Sequence, residues 1–159
     1  GFLTTPYLLP VLASHGHVDV AYDLMFQPGE PGWLVMLERG ATTVWEEWGG
    51  VDSDGRPHAS LNHFSKGTVV GFLHEYVAGL QIVEPGYRRF RVAPMPGGGI
   101  TWARAHHESP FGRIEVSWTL RGAQGAIRVT VPAGTEPELL LPDGSRHDLG
   151  TGAHDRTWS

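Results

Sequence analysis

The 159-residue chain has no cysteine, which excludes disulfides and thiolate metal sites and leaves no clue to redox compartment. No apolar run approaches the roughly 18 residues of a membrane-spanning helix, so no membrane partner is expected. A basic surplus is missing too. The formal charge of −5 gives no electrostatic reason to expect nucleic acid or an anionic lipid surface. Nine histidines are present, but none falls in an HExxH or Cys/His finger spacing. His106 and His107 are neighbours that an extended strand would turn to opposite sides. Gly97-Gly98-Gly99 lacks the following Lys-Ser/Thr and the helix start of a phosphate loop. No Gly-x-Ser-x-Gly elbow occurs. No metal and no cofactor are therefore expected. The start, Gly1-Phe2-Leu3-Thr4-Thr5-Pro6, lacks Met, a basic stretch and a long apolar stretch, so it is not a signal peptide. It fits an excised or truncated chain, or one processed after synthesis, and localisation stays open.

What is present divides into two compositions. Forty per cent of residues are hydrophobic, a value that fits a packed globular chain. Residues 1–84 read as short helices and loops. Thr5-Pro6 suggests an N-cap with Pro at the first helical position, followed by apolar residues to Ser14. Val18 to Phe26 suggests a second helix with Val20, Leu24 and Met25 inward. Trp33 to Glu38 reads as a third, closed by Gly40. Asn62 to Leu80 carries the clearest amphipathic pattern, with Val69, Val70, Phe72, Leu73, Tyr76 and Val77. From residue 85 the pattern changes to alternation: Arg89 to Ala93, Gly112 to Leu120 and Ala126 to Val131, separated by Gly/Pro turns. Short strands between such turns predict a small antiparallel β-sandwich over 85–159, joined to the helical part at Pro85-Gly86.

The densest chemical cluster is Thr42-Thr43-Val44-Trp45-Glu46-Glu47-Trp48-Gly49-Gly50. Aromatic faces stack on the apolar side of a sugar ring, and carboxylates hydrogen-bond its hydroxyls or move protons. In an extended stretch Glu46 and Glu47 would point apart, so one of them would face a given cleft. Adjacent carboxylates cannot be the separated pair of glycoside hydrolysis. The same cluster also reads as a surface loop with solvated glutamates and core tryptophans. A second cluster is Ser60-Leu61-Asn62-His63-Phe64. Here Ser60 or Asn62 fits a helix cap, and His63 fits either a ligand contact or a satisfied buried histidine.

Gly40-Ala41-Thr42-Thr43-Val44-Trp45-Glu46-Glu47-Trp48 resembles the Gly-Ala-Thr-Thr-Ile-Trp-Glu-x-Trp segment of the bacterial α-L-rhamnosidases, glycoside hydrolase family 78. Residues 1–9 look like the helix leading to that loop. Ser60 to Phe64 is similar to the family's Ser-Leu-Asn-His-Tyr, with Phe64 lacking the hydroxyl. Val131 to Thr135 and Leu141 to Gly144 resemble its C-terminal β-domain. The resemblance implies an α+β chain: the last helices of an (α/α)6 catalytic barrel, incomplete, over 1–84, then a β-sandwich over 85–159. It implies removal of terminal α-L-rhamnose from glycosides with inversion. On this carry-over Glu46 matches the general base, His63 a substrate-contacting histidine, and Trp45 and Trp48 the aromatic walls of the cleft. Glu47 departs from the family pattern by setting a second negative charge beside Glu46.

The family's general acid belongs to a segment that has no counterpart here. The expected partners are thus a rhamnosyl glycoside and the missing N-terminal part of a parent chain, and the 159 residues alone are expected to be inactive. An incomplete barrel would expose apolar helix faces, which predicts self-association. The competing reading is a non-catalytic carbohydrate-binding or structural β-sandwich. It draws on Trp102 and Trp118, although Trp118 alternates with Ile114 and Val116 and so belongs in a core.

Overall fold

The computed structural model describes residues 2–159; Gly1, the first residue of the rhamnosidase-like N-terminal string, lies outside them. The chain divides into two compact units, residues 1–72 and 73–159. The division falls at Phe72/Leu73, ahead of the junction expected at Pro85-Gly86. Those two residues instead turn the chain within the second unit, between its first two strands. Among the described residues no helix is long and apolar enough to cross a membrane.

The first unit contains α1 (Thr5–Ser14), α2 (Val18–Met25), α3 (Trp33–Glu38), α4 (Phe64–Gly67) and α5 (Val69–Phe72). Thr4, one residue earlier than the sequence suggests, holds the N-cap position of α1, and Pro6 lies in the first turn. That turn donates no helical hydrogen bonds, so proline is tolerated there. The helix ends where His17 N–H reaches Leu12 O at 2.8 Å and Gly16 N–H reaches Ala13 O at 3.3 Å. This paired closure satisfies carbonyls left over at a helix C-terminus. Helix α3 closes similarly, with Gly40 at φ +73° and Ala41 N–H on Met36 O at 2.9 Å, as its glycine predicts.

The core of this unit gathers Leu9, Ala13, Ala21, Tyr22, Met25, Val35, Met36, Trp45 and Phe72. Tyr22 meets Phe72 edge-on at 5.8 Å, and burial pushes its phenol up to about 12. The buried set of α2 is Ala21, Tyr22 and Met25; Leu24 is half-buried and Val20 exposed. The inward face is thus rotated from the expected Val20, Leu24 and Met25. Ala21 and Met25 are one helical turn apart and lie on the same side; Val20 turns away. Leu3, Tyr7, Leu8, Val11, Val20, Leu37, Phe64 and Val70 present apolar surface to solvent.

The long helix read over Asn62 to Leu80 is divided. Helices α4 and α5 are short, and Leu73–Val77 forms a wider turn closed by Ala78 N–H on Leu73 O at 2.9 Å. Such a five-residue closure is a π-type insertion in helical backbone. Leu80 already belongs to a strand.

The second unit holds β1 (Leu80–Ile82), β2 (Arg89–Val92), β3 (Trp102–Ser109), β4 (Gly112–Arg121), β5 (Gln124–Val131), β6 (Glu136–Leu140), β7 (Arg146–Asp148) and β8 (Gly152–Trp158). They form two four-stranded sheets, β1-β2-β6-β7 and β3-β4-β5-β8. Pairing is antiparallel except for β2 with β6. Alternation decides what is buried. Phe90, Val92 and Leu139 of the first sheet, and Ile114, Val116, Trp118, Ile127, Val129 and Val131 of the second, are all buried. Trp118 is 1% exposed, and its indole N–H donates to Val77 O at 2.9 Å.

Candidate active site

The loop after α3 and the loop before α4 run side by side in the first unit. His63 N–H donates to Val44 O at 2.8 Å, Glu46 N–H to Ser60 O at 2.9 Å, and His58 N–H to Gly50 O at 3.0 Å. The Thr43 hydroxyl also reaches Leu61 O. These bonds bring together the two segments that the sequence singles out, although 14 residues separate Glu46 from Ser60. The outer end of the first loop is fixed by Arg39, which donates to Gly49 O at 2.6 Å and pairs with Glu30 at 2.7 Å.

Glu46 is half-buried. Its Oε2 accepts the Ser60 N–H at 3.1 Å. A backbone donor of this kind fixes a carboxylate's direction while leaving its other oxygen available. The residue borders a cleft of about 440 Å³ with Phe2, Glu30, Glu47, Trp48 and Lys66. Both glutamates border this cleft, rather than one of them, because the segment is a series of bends and not a strand. Strict strand alternation therefore does not apply to it.

Trp48 is half-buried and packs edge-on against Trp33, ring centroids 5.0 Å apart. Trp45 does not line the cleft. It is 4% exposed and belongs to the core, under Gly50, where a Cβ would fall 1.9 Å from its ring. Gly50 has φ +43°, and the loop doubles back over the indole because no side chain stands there. Nor is His63 among the residues around the cleft. Its ring lies 5.2 Å from Phe2, a cleft residue, and 4.9 Å from Phe64. Its Nδ1 lies 2.9 Å from Ser65 Oγ and accepts the Ser65 N–H at 3.3 Å, capping α4.

Nothing in the sequence pattern singles out Lys66. It is 4% exposed and donates from Nζ to the backbone carbonyl of Glu46. The ammonium also stands 4.6 Å from the Trp48 ring centroid and 5.1 Å from that of Phe2, within cation–π range. Trp33 Nε1 donates to its carbonyl at 3.0 Å. Burial pulls the Lys66 pKa down, and the nearby Glu47 and Glu46 charges oppose that. One buried cation thus joins the backbone of Glu46 to the aromatic side of the cleft. In the sequence, a lone lysine after Ser65 reads as an ordinary solvated side chain, and only the paired loops disclose its position. Among the described residues no group of three or more His, Asp or Glu side chains could hold a metal.

Comparison with known proteins extends over nearly the whole chain. Residues 1–77 match the model of the bacterial α-L-rhamnosidase six-hairpin glycosidase domain, and residues 79–155 that of the bacterial α-L-rhamnosidase C-terminal domain. The α-L-rhamnosidase of Streptomyces avermitilis is 38% identical over 159 residues, covering 95% of this chain and 15% of the relative. That of Formosa agariphila is 31% identical over 153 residues, covering 94% of this chain and 16% of the relative. Among solved structures, the native α-L-rhamnosidase of Aspergillus terreus matches with TM-score 0.93 and 32% identity, over 99% of this chain and 19% of that one. The S. avermitilis enzyme complexed with L-rhamnose matches with TM-score 0.92 and 34% identity, over 100% and 18%. The chain spans about 15% of the length of its curated relatives.

Proposed function

The chain belongs to the bacterial α-L-rhamnosidases, and from that premise we propose that it works as part of a longer glycosidase that removes terminal α-L-rhamnose with inversion. The supporting observation is the placement of Glu46: half-buried beside a cleft, its Oε2 tied to the Ser60 N–H. Among the described residues its Oε1 accepts no protein hydrogen bond, which leaves it for a water molecule. Glu46 is the general base. It takes a proton from water as the water oxygen bonds to the anomeric carbon, on the face opposite the departing group. The glycosidic bond breaks, and a separate carboxylic acid protonates the leaving oxygen.

That acid is supplied by another part of the longer polypeptide. An inverting pair stands roughly 6.5–9.5 Å apart to admit the water, so Glu47, adjacent in sequence, is unsuited. Glu30 is engaged by Arg39 at 2.7 Å. Trp48 forms an aromatic wall of the sugar site, and His63 contacts the substrate once the remaining cleft is assembled. Trp45 acts from beneath, as the packed floor of the catalytic loop. The test is hydrolysis of an aryl α-L-rhamnoside by a longer polypeptide containing these residues, followed by proton NMR. The β-anomer of L-rhamnose should appear first. Initial α-anomer, or no turnover of any α-L-rhamnoside, would overturn the reading. The 159-residue chain alone should release no rhamnose.

The exposed apolar side chains of the first unit carry a second consequence. Leu3, Tyr7 and Leu37 are more than half exposed, at 86%, 67% and 68%, and large apolar surface left open to water normally has a covering partner. In the longer polypeptide that partner is the rest of the helical barrel. In the isolated chain, a second copy takes its place. Light scattering should show the mass rising with concentration; a single monomeric mass across the whole range would count against this.

A further inference from the structure

The outer face of the β3-β4-β5-β8 sheet is polar and hollowed. Register aligns Trp102, Thr119, Ala126 and Thr157 in one row across all four strands. The neighbouring row is Arg104, Ser117, Arg128 and Asp155, and Arg121 pairs with Gln124 on the other side. Cross-strand partners share a face. Because Thr119, Ala126 and Thr157 are small, two hollows of about 630 and 480 Å³ meet over them. Hydroxyl and amide groups line the pair together with Arg121, Arg128, Asp143 and Asp155, and Trp102 stands beside it, 65% exposed. An indole so exposed forgoes much of the stabilisation that its burial would contribute.

The basic residues add an independent observation. The chain has twelve Lys and Arg. Nine of them are arginines held in ion pairs or hydrogen bonds, or the buried Lys66; Arg156 bonds the Asp155 carbonyl. Among the described residues, Arg104 and Arg121 are the two with neither an ion pair nor a hydrogen bond. Both flank Trp102 on this one face: Arg104 two residues along β3, and Arg121 two residues beyond its partner Thr119. At about 3.3 Å rise per residue, each of these arginines has its Cα roughly 7–8 Å from that of Trp102, the scale of a sugar ring and its substituents. The carboxylates nearby are already engaged. Asp155 takes two bonds from Arg128 at 3.1 and 2.8 Å, Glu115 and Glu108 pair with Arg113, and Asp143 accepts from Ser145.

We propose that this face binds an acidic oligosaccharide, with Trp102 stacking on a sugar ring and Arg104 and Arg121 taking its uronic carboxylates. Stacking needs a ring with an apolar face. Guanidinium groups suit carboxylates through two parallel N–H···O bonds. The hydroxyl-lined hollow suits a chain of hydroxyl groups, and the overall charge of −5 disfavours a polyanion as large as nucleic acid. The site lies wholly within the second unit and is independent of the role given to Glu46.

The test is titration calorimetry of the 159-residue chain with a galacturonic acid tetramer and with its methyl-esterified, uncharged counterpart. Saturable binding of the acid form is expected, with the ester at least about tenfold weaker. Trp102→Ala should weaken the acid at least about tenfold, as loss of an aromatic anchor does. The double variant Arg104→Gln/Arg121→Gln should erase the difference between acid and ester. All these side chains are exposed, so circular dichroism should show the variants folded. Lack of saturation at millimolar tetramer, equal affinity for acid and ester, or undiminished binding by both variants would each overturn the proposal.

Discussion

Trp118→Ala should cost the second unit about 3–5 kcal/mol, the scale for removing a large aromatic from a packed core. Trp118 is among the largest fully buried side chains, at 1% exposure. It stands between Val116 and Leu120 on β4, aligned with Ile127 of β5 and Ala103 of β3. Its loss opens a cavity that relaxes incompletely. It also deprives Val77 O of the indole donor at 2.9 Å, and leaving a buried acceptor unpaired adds to the cost. Small domains are stable by about 5–15 kcal/mol, so the variant should sit near the edge of folding. Urea titration followed by circular dichroism checks this: the midpoint should fall sharply with little change in slope. A midpoint within a few tenths molar of the parent would mean that Trp118 is not the centre of this core. The same position also excludes it as an exposed sugar-binding aromatic.

The strands that follow simple alternation were legible. Arg89 to Ala93, Gly112 to Leu120 and Ala126 to Val131 correspond to β2, β4 and β5, because these strands bury one face against the opposite sheet. β3 hides in the sequence. Its run Trp102-Ala103-Arg104-Ala105-His106-His107 lies at a sheet edge and places only small or amphipathic side chains toward the core, so its alternation is weak. β6 contains Pro137, which ordinarily counts against a strand. The amphipathic period over 62–80 announces a helix but says nothing of its breaks. Those fall at Thr68 between α4 and α5, at the π-type closure over Leu73–Val77 and at the start of β1.

In the site, local pattern proposed the Trp-Glu loop and the Asn-His segment, while pairing of the loops explains why they belong together. Identity alone could not separate the two tryptophans. Trp45 is core because the chain folds back at Gly50, and Trp48 reaches the cleft because Trp33 and Lys66 support it. Lys66 was invisible for a related reason. A lysine is buried only where a carbonyl and π-faces receive its ammonium, and here those partners come from residues 2, 46 and 48.

Glu46→Gln in a longer polypeptide containing these residues tests most directly whether Glu46 activates the attacking water. Glutamine keeps the size of the side chain and an oxygen able to accept the Ser60 N–H, but it cannot take up a proton. Removing a positioned general base costs about 10²–10⁴-fold in rate. Hydrolysis of an aryl α-L-rhamnoside should therefore show kcat lower by that factor, with KM and binding of free L-rhamnose changed little. A variant that turns over at the parent rate, with the same binding, would contradict the assignment of Glu46 as the base.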